Sequence, residues 1–135
     1  MTKASVEIWH CDAAGNYSEY GNLTLSTWLR GIQPVDGSGV ARFMAIYPGW
    51  YAGRATHIHI EVFVNNQSIK TSQIAFPEEI NSTVYASGVY ASKGQNPTKN
   101  TNDNVFSDGV TSELASLAGN TASGYAATFT VGVSI

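Results

Sequence analysis

Two histidines separated by a single residue are the most chemically informative feature of this 135-residue sequence. From His57 to Phe63 polar and apolar residues alternate, which predicts a half-buried β-strand. Because successive side chains of a strand point to opposite faces, we expect His57 and His59 on one face and Ile58 and Ile60 on the other. Two imidazoles at this spacing are close enough to bind one metal ion.

The pair alone leaves a structural role open beside a metal site. His10 is the only other histidine, and the sequence has neither a His-Glu-x-x-His motif nor a cysteine cluster, which argues against a zinc protease or a zinc finger. Tyr17 and Tyr51 are further candidate ligands, and two phenolates with two imidazoles would suit a ferric ion. With seven tyrosines in the chain, each could equally be an amphipathic surface residue.

Composition narrows the class of protein. The length suits one compact domain. The net charge is −3 and no basic cluster is present, so we expect no nucleic-acid partner. No apolar run approaches the roughly 20 residues of a membrane helix, so we expect no membrane insertion. The single cysteine, Cys11, excludes an internal disulfide, and we expect it to be buried and inert, with His10 in a structural role.

Short extended segments separated by turn residues predict an all-β sandwich. The segment 34–39 has the composition of a hairpin turn, and Val40, Phe43 and Ile46 are core candidates of the strand after it. A turn at 65–67 would form a hairpin that brings Gln73 near the histidines. The predicted strands are 4–11, 23–32, 40–47, 57–63, 68–76 and 124–133.

Two further regions complete the domain. Pro77 and the two acidic residues after it predict the start of a short helix. The segment 88–108 is a long polar loop, and long ordered loops are often functional. The segment 114–117 is expected to be a helix or a turn.

A series of motifs resembles one enzyme family across nearly the whole chain. In chain order the motifs are Val6-Glu7-Ile8-Trp9-His10-Cys11-Asp12-Ala13-Ala14-Gly15-Asn16-Tyr17-Ser18, Leu29-Arg30-Gly31, Asp36-Gly37, Pro48-Gly49-Trp50-Tyr51, Gly53-Arg54, His57-Ile58-His59 and Gln73. Together they resemble the intradiol ring-cleavage dioxygenases, the non-haem iron(III) enzymes related to catechol 1,2-dioxygenase and protocatechuate 3,4-dioxygenase.

The resemblance implies a β-sandwich core, one Fe(III) per chain, and O₂-dependent cleavage of a catechol-type substrate to a muconate-type dicarboxylic acid. Arg54 and Gln73 would face the substrate, and Tyr51 would leave the metal and take a proton when the substrate binds. The sequence does not indicate the ring substituents, and it offers no evident residue for recognising a carboxylate on the ring. The family's iron ligands fall on Tyr17, Tyr51, His57 and His59.

The resemblance departs from the family at the start of the chain. We expect residues 1–135 to form a single catalytic core that lacks the family's N-terminal segment, which would leave the site more open. The helical dimerisation domain of the catechol 1,2-dioxygenase branch is also absent, so the oligomeric state stays open, with a homodimer as one option. The Trp-His-Cys-Asp motif looks most like the extracellular branch, which favours secretion, although residues 1–5 do not resemble a signal peptide.

Two alternatives to a catalytic dioxygenase follow from the same sequence. One is a non-catalytic β-sandwich binding module, with the histidines holding a structural metal or none. The other is a degenerate dioxygenase that retains a metal site without turnover. Colour distinguishes the module from both iron proteins, because phenolate bound to Fe(III) absorbs visible light.

Overall fold

The computed structural model describes residues 3–18 and 29–134 of the chain. They form two β-sheets, one short α-helix and two 3₁₀ turns, which confirms the predicted all-β class with one short helix. None of the helices among the described residues is long and apolar enough to cross a bilayer. The elements are β1 (Ala4–Trp9), β2 (Arg30–Pro34), β3 (His57–Val64), β4 (Gln67–Ala75), α1 (Glu78–Val84), the 3₁₀ turns Gly88–Tyr90 and Asn100–Asn102, β5 (Ser116–Asn120) and β6 (Gly124–Thr128).

The histidine strand lies inside the larger sheet. Its four antiparallel strands have the order β2-β1-β3-β4, and β5 pairs with β6 in a separate two-stranded sheet. Strand β3 is therefore hydrogen-bonded on both sides, with Trp9 opposite His59 on β1. Ile60 and Val62 of β3 are buried, at 5% and 6% exposure. Pairing on both edges fixes the backbone from which the two histidines project.

The hairpin between β3 and β4 contains an irregularity that matters for the site. Asn65 and Asn66 have φ values of 51° and 64°, as in the two-residue turns that match the twist of paired strands. The register then shifts by one residue after Val62, which leaves Ile69 as a bulge. Because of this bulge His59 lies directly opposite Gln73, and both side chains share one face of the sheet.

The predicted strand 40–47 is wrong. The segment belongs to no strand, and Val40 and Ile46 are 40% and 46% exposed, while Met44 is fully exposed. Apolar and β-branched residues favour a strand only where a pleated neighbour covers them. The segment pairs with no strand among the described residues, so its apolar side chains are not the core that the sequence suggested. The turn at 36–39 does form, but it does not join two paired strands.

The other boundaries differ by smaller amounts. The expected helix or turn at 114–117 is wrong, since β5 begins at Ser116 and pairs with β6. The last strand ends at Thr128 instead of continuing to 133. Of the predicted strand 23–32, residues 23–28 lie outside the described residues, and β2 begins at Arg30.

The long polar segment 88–108 packs beside the histidine strand. It contains both 3₁₀ turns, and its Phe106 forms a buried cluster with Ala55 and Ala75 beside the histidine strand. Asn100 and Asp103 of the loop are buried polar residues. The polar groups of a loop that is buried in this way must form hydrogen bonds with the neighbouring backbone and side chains.

Candidate metal centre

The two histidines present their Nε2 atoms to the same point. His57 is 3% exposed, and its Nε2 lies 3.2 Å from Nε2 of His59. The Nδ1 of His57 lies 2.6 Å from the carbonyl oxygen of Ala55. A carbonyl oxygen can only accept, so Nδ1 carries the proton and the lone pair of the neutral ring is on Nε2. His57 is thereby held in the tautomer that a metal ligand requires.

Both rings are held in the neutral form. Burial, with a smaller contribution from the nearby Arg54 guanidinium, lowers the pKa of His57 to about 3 against the opposing effect of the Ala55 carbonyl. Burial also lowers the pKa of His59 to about 4, again with Arg54 contributing. Neutral imidazole is the form that binds metal, so neither ring must lose a proton first.

The tyrosines converge on the histidines as the motifs predicted. The hydroxyl oxygen of Tyr17 lies 3.1 Å from Nε2 of His57, and that of Tyr51 lies 3.2 Å from the same nitrogen. The two hydroxyl oxygens are 3.4 Å apart. Burial raises the pKa of Tyr17, and its hydrogen bond with Tyr51 raises it further. Tyr17 therefore stays protonated unless a cation takes the proton's place.

Close backbone packing brings the two tyrosine segments together. The turn before Tyr17 is closed by the Asp12 carboxylate, which accepts the backbone N–H groups of Ala14 at 3.0 Å and Asn16 at 2.8 Å. A Cβ atom on Gly49 would overlap the carbonyl oxygen of Asp12. Only glycine at this position lets the segment that carries Tyr51 lie against the turn that carries Tyr17.

Arg54 and Gln73 lie at the edge of this cluster. The Arg54 Nη2 donates to Oε1 of Gln73, and its Nη1 lies 3.4 Å from Nε2 of His57. The sequence-based prediction that the β3–β4 hairpin brings Gln73 near the histidines is thus confirmed as a matter of position. The guanidinium is also 5.7 Å from the centre of the Phe106 ring.

Asp103 is a site residue that sequence reasoning missed. Its Oδ2 accepts from Nε of Arg54 at 2.9 Å and from the backbone N–H of Ala55 at 2.6 Å, and its Oδ1 accepts from Val105 N–H at 2.7 Å. The carboxylate is wholly buried. Burial acts to raise the pKa of Asp103, but the Ala55 and Arg54 hydrogen bonds outweigh it and hold the pKa below its usual range.

Comparison with solved structures identifies the fold. An intradiol ring-cleavage dioxygenase from Tetranychus urticae superposes with a TM-score of 0.87 at 23% identity, over 98% of this chain and 72% of that chain. A second dioxygenase gives a TM-score of 0.86 at 23% identity, over 98% and 71%. This chain has the intradiol ring-cleavage dioxygenase fold. Neither a protein-family model nor a curated protein matches the sequence.

A third similar structure comes from a bacterium. It is the dioxygenase domain of a dioxygenase–carbohydrate-binding protein fusion from Streptomyces sp. SirexAA-E, with a TM-score of 0.66 at 25% identity, over 96% of this chain and 66% of that chain. The comparisons do not address the expected extracellular branch or the expected N-terminal departure, and both stay predictions.

The separations between neighbouring donor atoms, 3.1–3.4 Å, are compatible with bonds to one metal ion. Two atoms about 3.2 Å apart can each lie about 2 Å from a common ion, the usual length of a bond from metal to nitrogen or oxygen. Among the described residues no three His, Cys, Asp or Glu side chains gather at one point, so a metal held here would depend on the tyrosines. The donors are Tyr17, Tyr51, His57 and His59.

His59 is supported by Trp9 of the neighbouring strand β1. Its ring stacks on Trp9 with centroids 5.1 Å apart and an interplanar angle of 4°. The Arg30 guanidinium lies 4.6 Å from the Trp9 ring and is paired with Glu7 at 3.0 Å. In the sequence Trp9 was only a motif residue, whereas in the structure its ring packs against His59 and orients it.

His10 and Cys11 follow β1, which ends at Trp9 instead of at Cys11 as predicted. His10 is buried, with Nδ1 2.8 Å from the carbonyl oxygen of Cys11, and it is not one of the four donors. Cys11 is buried, and burial raises the pKa of its thiol to about 11. A thiol in this state is a poor nucleophile and a poor ligand, in line with a structural role.

A cavity of about 240 Å³ opens beside the donor cluster. The sheet contributes His59 and Gln73 to its wall, and the loop contributes Val105, Phe106 and Glu113. Pockets that hold drug-sized ligands measure roughly 300–1,000 Å³, so this cavity suits a substituent or a single ring.

Proposed function

We propose that this chain is a non-haem Fe(III)-dependent dioxygenase that cleaves a catechol-type diol between its two hydroxyl-bearing carbons, giving a muconate-type dicarboxylic acid. The observation that carries the proposal is the convergence of two phenol oxygens and two imidazole nitrogens, with neighbouring distances of 3.1–3.4 Å. The intradiol fold of the structural neighbours supports the same reaction class, with an aromatic diol and O₂ as the reactants.

The donor set determines what a bound metal would contribute. A ferric ion would act as a Lewis acid toward the diol, and phenolate oxygen is a hard donor that favours this oxidation state. His57 and His59 would hold it with lone pairs that need no deprotonation. Tyr17 and Tyr51 would give up their protons to bind, because the cation offsets the burial that keeps Tyr17 protonated.

Tyr51 is the residue that we propose to accept a proton from the substrate. It begins the turn closed by the Arg54 N–H at 3.3 Å, and Gly53 in this turn has a φ of 92°, which glycine adopts easily. Tyr17 follows a turn closed by the Asp12 carboxylate and has less freedom to rotate. The Tyr51 hydroxyl can therefore leave the donor cluster and take a proton from the diol while Tyr17 stays in place.

Arg54 would stabilise negative charge that develops on the ring. Its guanidinium is oriented from two sides, by Asp103 at 2.9 Å and by the Gln73 side chain. A cation that is fixed before the reaction stabilises developing charge without reorganising, and removing one such group typically costs about 10²–10³ in rate.

The donor set favours intradiol over extradiol cleavage. Extradiol sites hold Fe(II) with two histidines and a carboxylate. The nearest carboxylate on this strand, Glu61, shares the histidine face, but it accepts a hydrogen bond from Ser68 Oγ at 2.6 Å, away from the donors. A ring-opened semialdehyde as the product would contradict the proposal.

Oxygen uptake with product identification tests the proposed function. Protein loaded with iron, and shown by metal analysis to hold one iron per chain, is expected to consume O₂ with catechol and to be coloured by the phenolate ligands. Arg54→Gln should lower kcat by about 100-fold with iron content unchanged. Arg42→Gln is the matched control, because Arg42 forms an exposed ion pair with Asp36 and should leave the rate unchanged. Colourless protein without iron would favour a binding module, and coloured protein without turnover a degenerate dioxygenase.

A further inference from the structure

We infer that the site prefers a catechol whose ring substituent is neutral or positively charged over one that bears a carboxylate, and that Glu113 determines this preference. The inference rests on the proposed function and deepens it. Its basis is the cavity beside His59 and Gln73, which lies next to both the donor cluster and the residue that contacts Arg54.

The cavity is an open space next to one of the donors, His59, that can take a substituent. His59 belongs to the donor cluster, and Gln73 lies directly opposite it across the hairpin. Phe106 is buried at 4% exposure and gives the cavity an aromatic wall. A substituent that points from the cluster toward His59 and Gln73 would therefore meet this wall.

The charges around the cavity are unfavourable for an anion. Among the described residues that line it, Glu113 carries the one formal charge, and its Oε2 accepts only from Ser112 Oγ at 3.2 Å. Recognition of a carboxylate usually relies on an arginine with free donors. The nearby arginine, Arg54, is already paired with the wholly buried carboxylate of Asp103. A carboxylate in the cavity would meet Glu113, and none of the described residues that line the cavity is a cation.

The backbone holds Glu113 in place independently of its side chain. Its carbonyl oxygen accepts from the N–H of Ala75 at 2.7 Å, and its own N–H donates to the carbonyl oxygen of Val110 at 2.9 Å. Neither bond depends on the carboxylate. Replacing the side chain should change the charge of the cavity wall while preserving the wall itself.

Equilibrium titrations under nitrogen test the inference without requiring turnover. Iron-loaded protein is titrated with catechol, 4-(2-aminoethyl)catechol and 3,4-dihydroxybenzoate, and Kd is read from the visible absorption. For each protein we take the ratio of the Kd for 3,4-dihydroxybenzoate to the Kd for 4-(2-aminoethyl)catechol. The ratio in wild type is then divided by the ratio in Glu113→Gln, so that intrinsic differences between the two diols cancel. We expect this quotient to favour the aminoethyl compound by about three- to tenfold, because near a wet surface Glu113 weakly attracts the ammonium group and weakly repels the carboxylate. Glu113→Lys should reverse the preference, and Glu79→Gln, on the exposed side of α1, should leave it unchanged.

The outcomes separate the two proposals. If all three diols bind and the ratio differs by less than twofold between wild type and both Glu113 variants, the inference is wrong and the proposed function stands. If wild-type protein that holds iron binds none of the diols, the proposed function fails and the inference falls with it.

Discussion

Replacing Asp103 by asparagine should destabilise the protein more than an equivalent change at the surface. Asp103 and Asp36 make similar contacts, since each carboxylate pairs with one arginine and accepts two backbone N–H groups. They differ in burial. The side chains of Arg54 and Asp103 are 17% and 0% exposed, whereas those of Arg42 and Asp36 are 79% and 43% exposed.

The magnitude follows from what asparagine cannot do at position 103. If its oxygen keeps the bonds to Arg54 and Ala55, its NH₂ group faces the N–H of Val105 and leaves a buried donor unsatisfied, at about 1–3 kcal/mol. Breaking a buried ion pair by removing one partner typically costs about 3–5 kcal/mol. Partial exposure of Arg54 places the expected loss at the low end, about 3 kcal/mol, which a domain of ordinary stability survives.

Urea unfolding of the iron-free protein, followed by tryptophan fluorescence, measures this loss directly. Asp103→Asn and Asp36→Asn are compared with wild type at pH 7, and the Asp36 variant is expected to lose much less because solvent screens its pair. Equal losses in the two variants would refute the reasoning, since burial is the only large difference between the two carboxylates.

The pH dependence gives a second test with a definite sign. The folded-state pKa of Asp103 lies below its usual value, so its contribution to stability is present above the unfolded pKa of about 3.9 and is lost as the pH falls through the folded pKa. The difference between wild type and Asp103→Asn should thus be constant from about pH 5 to 8 and shrink below about pH 4. A difference that grows on acidification would contradict the assignment.

Two further predictions concern the tyrosine segments. Tyr51→Phe should keep iron and part of the colour while slowing deprotonation of the substrate, whereas Tyr17→Phe should damage the resting site and bleach the colour that survives substrate binding. Anaerobic spectra of both variants with catechol test this, and the reverse pattern would show that Tyr17, not Tyr51, leaves the metal. Gly49→Ala should lower the free energy of unfolding by about 1–3 kcal/mol and weaken iron retention, because its methyl group would overlap the backbone of the turn before Tyr17. Gly37→Ala, with open space around it, should do neither. Equal behaviour of the two variants would show that the two tyrosine segments can move apart.

The core of the site was predictable because it is local in the sequence. Alternation from His57 onward fixes a strand face, and the two asparagines at 65–66 predict the turn that folds β4 back on it. The tyrosines were found only through the motifs, since nothing in their spacing distinguishes Tyr17 and Tyr51 from the chain's other tyrosines.

What the sequence could not predict depends on distant partners. Whether apolar residues at 40–47 form a strand is decided by a neighbouring strand, and none pairs with them among the described residues. Asp103 lies 49 positions from Arg54 in a loop of polar residues. The composition of this loop is typical of solvated loops. Only the folded chain shows that the Asp103 carboxylate is buried against the Arg54 guanidinium.

The bulge at Ile69 imposes a rule of parity on the hairpin. In antiparallel strands joined by a two-residue turn without a bulge, directly opposed residues are separated by an odd number of positions. Gln73 follows His59 by 14 positions, an even number, and the pair is opposed only because one residue is extra. Inserting or deleting a single residue here would move the amide to the other face of the sheet, whereas a change of two would preserve it. The number of residues between His59 and Gln73, more than the types of those residues, therefore determines that the two side chains face each other.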